Sequence, residues 1–359
     1  MRSTRATIHL GNLRHNHALA RRLAQGSRVM AVVKANAYGH GLERVGLALA
    51  DADAFGVATI SDAHRLRSAG LSQRIVLLSG FDEARDLAEL RALGIETVVH
   101  HDSQIRMLEV DHGEPVRVWL KIDSGMHRLG LPASSAQVAW ERLRNCSSVH
   151  SDVVLMTHLA SADVPESEQS QWQLATFSAA TSALPGLRSV ANSPGLLNIP
   201  AARADWVRLG GLLYGQSTHA ERTGTDYGLK PVMSLDSKLI AINDLLAGEP
   251  VGYGGTHRCE RPSRIGIAAI GYGDGYPRHA PTGTPVLVRG QRCPTVGRVS
   301  MDLLAIDLTE LAEVEVGDPV RLWGQGLPVE VVARHAGTIG YELTCGVTRR
   351  VLYVEDELI

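Results

Sequence analysis

The first part of the sequence, roughly residues 1–210, alternates between short apolar runs and longer segments with apolar residues at helical spacing. Eight apolar runs predict strands: Val29–Val33, Phe55–Ala58, Ile75–Leu78, Thr97–Val99, Val116–Ile122, Val153–Thr157, Ser189–Ala191 and Trp206–Leu209. An amphipathic helix is predicted before them, over Leu10–Gln25. Strand–helix alternation is typical of parallel βα units, and eight units favour a closed (β/α)8 barrel of the TIM type. An open doubly wound sheet is the alternative, although no GxGxxG sequence stands at the first βα turn.

The pattern changes near Lys230-Pro231, where β-rich runs separated by Gly, Pro and Asp begin. Four of these runs predict strands: Ser263–Ile270, Pro285–Val288, Leu303–Leu308 and Pro319–Trp323. Arg289–Arg292 contains a glycine between two such runs and predicts a hairpin turn. We therefore predict two domains, a barrel over residues 1–229 and a mostly antiparallel β domain over residues 230–359.

Composition narrows the possible partners and location. The formal net charge is −2, which argues against nucleic-acid and anionic-membrane partners. No apolar run is long enough to cross a membrane, and the N-terminus leads into no apolar signal sequence. The histidines lack HxH and HExxH spacing, so no metal site is predicted. The absence of a CxxC pair indicates reduced thiols in the cytoplasm for four cysteines: Cys146, Cys259, Cys293 and Cys345.

Polar residues follow several predicted barrel strands at the ends where such barrels place their active sites. They are Lys34 and Tyr38 after the first strand, Lys121 and Arg128 with the fifth, His158 after the sixth, Ser193 after the seventh, and Arg208, Gly210 and Gly211 with the eighth. Each residue alone has an ordinary explanation, since a strand-end lysine reaches water, a lone histidine packs in a core and a serine forms a turn. Their occurrence together at one rim favours a functional site.

The chemistry of this rim suits an anionic ligand, because it is rich in cations and hydrogen-bond donors and poor in acids. Ser193 and the Gly210-Gly211 pair could bind a phosphate, and Arg128 could bind a carboxylate. Lys34 in a partly dry pocket could form a Schiff base or act as a base. A serine nucleophile is not favoured, because no GxSxG sequence is present.

A family resemblance runs through these residues. Ala31–Gly41 reads Ala-Val-Val-Lys-Ala-Asn-Ala-Tyr-Gly-His-Gly and closely resembles the pyridoxal-phosphate attachment signature of bacterial alanine racemases. The resemblance continues in family order in further segments: Lys121–Gly130, Thr157–Asp163, Asn192–Gly195, Asp205–Gly210, Val251–Gly254, Ile270–Arg278, Gly297–Asp302 and Gly340–Glu342. It implies an enzyme that uses pyridoxal 5′-phosphate to interconvert L-alanine and D-alanine and supplies D-alanine for peptidoglycan.

The resemblance also implies the catalytic residues. Lys34 would carry the cofactor and act as one of two bases. Tyr253 would be the second base, on the opposite face of the substrate Cα, contributed across a head-to-tail homodimer with shared active sites. Arg208 would face the pyridine nitrogen, with His158 supporting Arg208 and the tyrosine. Arg128 would orient the tyrosine and help to hold the substrate carboxylate.

The remaining implied residues bind the cofactor or the substrate. The phosphate-binding set is Tyr38, Ser193, Gly210, Gly211 and Tyr341. Met301 would help to bind the carboxylate of alanine in the partner's site, and Tyr272 would narrow the access route. Lys121 resembles a lysine that the family often carbamylates. Repulsion between Lys121 and Arg128 gives a physical reason, since a carbamate turns one cation into an anion.

Two other functions remain open from the sequence. A same-fold enzyme could be a broad-specificity amino-acid racemase or an amino-acid decarboxylase, but a decarboxylase is expected to place an acid where Arg208 stands. A non-catalytic barrel protein that binds the cofactor is expected to have one domain, so residues 230–359 with Tyr253 and Met301 argue against it.

Overall fold

The computed structural model describes residues 4–356, which form two compact units. One unit comprises residues 17–213, and the other joins residues 4–16 to residues 214–356. This division differs from the predicted boundary between residues 229 and 230. The reason at the N-terminus is a strand, Arg5–His9, that pairs with two strands from the C-terminal part of the chain.

The barrel unit contains eight parallel strands: Arg28–Val32, Ala54–Val57, Arg74–Leu77, Ile95–Val99, Val118–Asp123, Val154–Met156, Arg188–Ser189 and Trp206–Leu209. We number them one to eight in this order. Each strand pairs with the next along the chain, and strand eight pairs with strand one through Trp206 opposite Arg28. The sheet is therefore closed, which confirms the predicted (β/α)8 barrel and makes the open-sheet alternative wrong.

A packed core fills the base of the barrel. Eight buried side chains from seven strands form one cluster: Met30, Ala54, Val76, Val98, Trp119, Val154, Met156 and Trp206. The indole rings of Trp119 and Trp206 meet edge to face with centroids 5.4 Å apart. Bulky side chains of this kind make the barrel interior a solid core, so a ligand can bind only at the ends.

Helices cover most of the crossovers between the strands. Their bounds are Leu10–Ala24 before strand one, then Lys34–Tyr38, Leu42–Ala48, Ile60–Ser68, Asp86–Leu93, Asp102–Val110, Ala136–Asn145, Glu168–Thr181 and Ser193–Asn198. The helix Asp86–Leu93 ends at Gly94, whose φ of 60° is the left-handed conformation that suits glycine at a helix C-terminus. No helix within residues 4–356 is long and apolar enough to cross a membrane.

The second unit is built on a mostly antiparallel sheet of eight strands: Arg5–His9, Met233–Leu245, Ser263–Ala268, Pro285–Val288, Gln291–Pro294, Leu304–Asp307, Pro319–Trp323 and Leu352–Asp356. The pair Arg5–His9 and Leu352–Asp356 is parallel. A two-residue turn at Arg289 and Gly290, with φ of 50° and 82°, joins Pro285–Val288 to Gln291–Pro294 as a hairpin. Two short helices, Val329–His335 and Gly340–Cys345, complete the unit.

A buried carboxylate stabilises the base of the barrel, and its removal tests this. Glu96 is 5% exposed and accepts hydrogen bonds from Arg74 Nε at 2.5 Å and from Trp119 Nε1 at 2.7 Å. Glu96→Ala should lower the free energy of unfolding by about 1–3 kcal/mol, because it leaves the buried indole N–H of Trp119 without its acceptor, while Arg74 is 34% exposed and can be solvated. Urea denaturation measures the change. Glu83→Ala is the control, since its ion pair with Arg85 is exposed, and an equal loss in both variants would contradict the prediction.

Candidate active site

The backbone after strand one has an unusual conformation. Lys34 begins the turn Lys34–Tyr38, and the four residues from Ala35 to Tyr38 have φ between 53° and 54°. This left-handed conformation costs an L-residue other than glycine about 1–2 kcal/mol, so the turn needs support from its surroundings. Strain of this kind is concentrated at functional sites, which makes the turn a candidate for one.

Two side chains support the left-handed turn. His40 is buried, and its Nδ1 donates to the carbonyl oxygens of Ala37 at 3.0 Å and Tyr38 at 2.9 Å. Burial lowers the pKa of His40 to about 4, so the ring is neutral. Asn36 Oδ1 accepts from Leu42 N at 3.0 Å. The turn is thus held from both ends.

Hydroxyl and amide groups gather beside this turn. Ser193 is buried at the start of Ser193–Asn198, and its Oγ accepts from the backbone N–H of Gly210 at 2.9 Å and of Leu212 at 3.3 Å. A Cβ on Gly210 would overlap the hydroxyl of Tyr38, so glycine allows that tyrosine to approach. Gly211 lies between the two amides. Hydroxyls and amides are the types of donor that a phosphate requires, and a phosphate could replace Ser193 Oγ as the acceptor of these amides.

Arg208 lies buried in strand eight and is held by neutral groups. It donates to Thr157 O at 2.7 Å, to Ser189 Oγ at 2.8 Å and to His158 Nδ1 at 3.2 Å. Its hydrogen-bond partners among residues 4–356 include no carboxylate. Burial lowers the pKa of Arg208 to about 10, which leaves it cationic at neutral pH.

His158 is a neutral acceptor in this cationic field. Burial lowers its pKa well below the usual value, and the charges of Arg208, Lys121, Arg128 and Lys34 add to that effect. Because Nδ1 accepts from Arg208, the proton of the neutral ring belongs on Nε2. Strands one, five, six and eight and their loops therefore bring their predicted residues into one electrostatic cluster.

Lys121 is a buried lysine of this cluster whose pKa is lowered. It is 7% exposed, and burial followed by the charges of Arg208, Arg128 and Lys34 lowers its pKa from the usual 10.5 to about 8. Asp123 opposes the shift. A sizeable neutral fraction near physiological pH gives the amine the form in which it can react with carbon dioxide, so the environment suits the predicted carbamate.

Arg128 lies on a tight loop after strand five. Asp123 Oδ1 accepts from the backbone N–H groups of Gly125 at 2.9 Å and of Met126 and His127 at 3.1 Å each. These bonds fix the loop, and the side chain of Arg128 is exposed. The charge of Arg128 contributes to lowering the pKa of Lys121, so Arg128 belongs to the same electrostatic cluster.

The other predicted residues belong to the second unit. Tyr253 is 66% exposed on the turn Tyr253–Gly255, and Met301 is 52% exposed. Tyr272 lies beside Met301, because Gly273 N donates to Met301 O at 2.9 Å. Tyr341 is half-buried in Gly340–Cys345. Exposed tyrosine and methionine side chains of this size are available to a ligand or a second chain.

A cavity of about 330 Å³ lies at the opposite end of the barrel, where strands three, four and five begin. Several arginines line it, but their donors are already used. Arg67 donates to four backbone carbonyls, Arg74 binds Glu96 and Arg91 binds Asp111. The cluster at the other end is therefore the better candidate for the active site.

The sequence pattern missed several supporting groups. Thr157 and Ser189 hold Arg208, and His40 holds the turn after Lys34, yet none was predicted as a site residue. The Leu212 amide was missed as well, and no side-chain pattern could reveal it because the backbone supplies it. Within residues 4–356, no three His, Cys, Asp or Glu side chains are grouped to hold a metal ion.

Comparisons with known proteins show the family. The family model described as alanine racemase, N-terminal domain, matches residues 8–218, and the model described as alanine racemase, C-terminal domain, matches residues 232–354. The chain belongs to the alanine racemase family. The resemblance noted in the sequence is thereby confirmed, and the protein is an enzyme of that family.

Individual relatives cover nearly the whole chain. An alanine racemase from Shewanella sp. (strain W3-18-1) is 51% identical over 97% of both chains. The crystal structure of the biosynthetic alanine racemase from Pseudomonas aeruginosa is 46% identical, with a TM-score of 0.97, and the match covers 99% of this chain and 100% of that one. The alanine racemase from Bartonella henselae with covalently bound pyridoxal phosphate is 29% identical, with a TM-score of 0.90 over 99% of this chain and 100% of that one.

The low pKa of Lys121 predicts a pH-dependent stability in unmodified protein without cofactor. Between pH 8 and about 10.5 the unfolded chain binds more protons than the folded one, so the free energy of unfolding should rise with pH by about 3 kcal/mol. Lys121→Met should lack this rise, whereas Lys238→Met on the exposed sheet should keep it. Urea denaturation in bicarbonate-free buffer measures the difference, and equal profiles for Lys121→Met and wild type would refute the assignment.

Proposed function

We propose that this protein interconverts L-alanine and D-alanine with pyridoxal 5′-phosphate held by Lys34. The observation that carries the proposal is the set of phosphate-type donors beside the left-handed turn that starts at Lys34. Family membership over nearly the whole chain supports the substrate and the reaction. A covalently bound pyridoxal phosphate in the Bartonella henselae relative supports the cofactor.

The residues present fit this cofactor. The Ser193 hydroxyl, the amides beside Gly210 and Gly211 and the Tyr38 hydroxyl would bind the phosphate, with Tyr341 as the further predicted contact. The amine of Lys34 would form the covalent link. When bound, the cofactor withdraws electrons from the substrate Cα and makes its proton more acidic.

Racemisation needs proton transfer on both faces of the substrate Cα. We assign Lys34 Nζ to one face, where it removes or returns the Cα proton. The hydroxyl of Tyr253 takes the opposite role on the other face. In one direction of the reaction one group removes the Cα proton and the other returns it. In the reverse direction the two groups exchange these roles.

Arg208 would control which reactions the cofactor supports. A guanidinium donates a hydrogen bond to the pyridine nitrogen but does not give up its proton, so that nitrogen stays neutral. A neutral pyridine ring withdraws less electron density from the substrate, which disfavours side reactions such as transamination. His158, which accepts from Arg208, would hold the guanidinium in place. This arrangement favours racemisation over decarboxylation.

The substrate contacts would come from two subunits, with Arg128 from one and Met301 from its partner. Arg128 at the barrel mouth and Met301 would bind the carboxylate of alanine, with a carbamate on Lys121 orienting Arg128. Tyr272 would restrict the access route. The exposure of Tyr253 and Met301 supports a homodimer in which each subunit completes the partner's site. We place the enzyme in the cytoplasm, where D-alanine for peptidoglycan is needed.

Replacing Lys34 tests the proposed function. Wild-type protein with added pyridoxal phosphate should bind the chromophore and convert L-alanine to D-alanine on chiral chromatography. Lys34→Ala should lose the covalent chromophore and lower kcat/KM by about 10³-fold or more, because it removes the cofactor link and one base. Lys238→Ala, an exposed lysine on the sheet, should retain both properties.

Other products in the same assay would change the conclusion. Scoring a panel of amino acids separates a strict alanine racemase from one of broad specificity. Release of carbon dioxide and an amine would overturn the reaction type. Conversion of L-alanine to D-alanine by Lys34→Ala at the wild-type rate would contradict the assignment of this lysine.

Mixed dimers test whether Tyr253 acts across the subunit interface. Tyr253→Phe and Lys34→Ala homodimers should each be nearly inactive, because each lacks one base. After subunit exchange, a heterodimer has one site with both defects and one intact site, so activity should recover to roughly half of the wild-type value per heterodimer. Mixing two Lys34→Ala preparations is the control. Heterodimers verified by mass spectrometry that stay inactive would contradict the shared site.

A further inference from the structure

Two turns of the second unit carry Tyr272 and Met301, two of the residues assigned to the substrate or its access route. We call them the substrate-side turns: residues 271–275, which include Tyr272, and residues 300–302, which include Met301. Their side chains can act together only if the two turns keep a fixed spacing. What holds that spacing is therefore relevant to substrate binding.

Backbone contacts join the turns directly. Tyr272 N donates to Ser300 O at 3.0 Å, and Gly273 N donates to Met301 O at 2.9 Å. A Cβ on Gly271 would overlap Ser300 O, so the two backbones lie in close contact. Two hydrogen bonds near the surface open easily, so they alone would leave the pair mobile.

Arg350 bridges the same two turns through its side chain. Its Nε lies 3.3 Å from Asp274 Oδ1 on the first turn, and a terminal nitrogen is bound to Asp302 on the second. Asp274 is fully buried, and its Oδ2 accepts from Gly271 N at 3.1 Å. A planar guanidinium can bind two carboxylates at fixed positions, which an ammonium cannot do.

Gly273 makes room for this bridge. A Cβ at this position would overlap a terminal nitrogen of Arg350 and come within 3.0 Å of Met301 O. Since φ of Gly273 is not positive, its backbone does not require glycine. Two neighbours therefore limit the space for a side chain between Tyr272 and Asp274: the guanidinium of Arg350 and the carbonyl oxygen of Met301.

We propose that Arg350 is a positioning residue that sets the placement of Tyr272 relative to Met301 through Asp274 and Asp302. It touches neither substrate nor cofactor in this assignment. The expected effect of Arg350 on substrate affinity, and on the size of the substrate side chain that the site accepts, rests on the proposed function. Its effect on the spacing of the two turns does not.

Arg350→Lys tests the proposal kinetically, because it keeps the charge and loses the two-way bridge. We expect KM for alanine to rise about tenfold, kcat to change by less than about threefold, and serine to be discriminated less strongly. The amount of bound pyridoxal phosphate should not change. Gly273→Ala should reproduce this pattern by displacing the guanidinium.

Hydrogen exchange gives a readout that is independent of activity. The amides of Tyr272 and Gly273 should exchange about tenfold faster in Arg350→Lys than in wild type. Arg321→Lys is the matched control, since Arg321 binds Asp236 at 2.8 Å in the same sheet but touches neither turn. If Arg350→Lys fails to fold, Asp302→Asn removes one half of the bridge and should give the same pattern in weaker form.

The outcomes separate the two proposals. Wild-type protein that does not racemise alanine would overturn the proposed function, and faster exchange confined to the two turns would still support the bridge. Active wild-type protein with KM and exchange unchanged in Arg350→Lys would overturn the bridge alone. Equal changes in KM and in hydrogen exchange for Arg350→Lys and Arg321→Lys would show that Arg350 only stabilises the unit in general. That result would also overturn the bridge.

Discussion

Crowded positive charge at one end of the barrel is the constraint on which the site depends. Lys121 and Arg208 are almost fully buried, and Lys34 and Arg128 lie close enough to shift the same pKa values. Burying like charges together costs free energy unless an anion or a neutralised group compensates. A neutral His158 adds no further positive charge to the cluster. The remaining repulsion would be relieved by an anionic ligand or by a carbamate on Lys121.

Arg208 has no carboxylate among its hydrogen-bond partners within residues 4–356, and the proposed function gives a reason for this. Carboxylates would relieve the repulsion, but under the proposed function a carboxylate opposite the pyridine nitrogen would stabilise the protonated ring and widen the range of reactions. Carbonyl and hydroxyl oxygens of Thr157 and Ser189 hold the guanidinium without supplying a proton acceptor of that strength. Under the proposed function, Arg208 therefore links the electrostatic cost of the site to its reaction specificity.

The sequence predicted the parts of the fold that depend on local pattern. All eight barrel strands lie within two residues of their predicted bounds, because each is a short apolar run flanked by turns. The strand Arg5–His9 was missed, since its partners at Met233–Leu245 and Leu352–Asp356 are more than 200 residues away and no local pattern reveals them. The candidate site residues of the barrel could be proposed from their positions after these strands, whereas backbone donors such as Leu212 N carry no sequence signal.

The left-handed conformation of the turn after Lys34 depends on packing and could not be predicted from the sequence pattern. Alanine and tyrosine have no preference for positive φ, so only the surroundings can hold Ala35 to Tyr38 in that conformation. Buried His40 binds two carbonyls of the turn, and its neutral ring costs no ionic desolvation there. The strain is thus met by contacts made on folding, before any ligand arrives. Because the backbone at Lys34 is already fixed, binding a ligand there costs little further backbone entropy, as expected of a preorganised site.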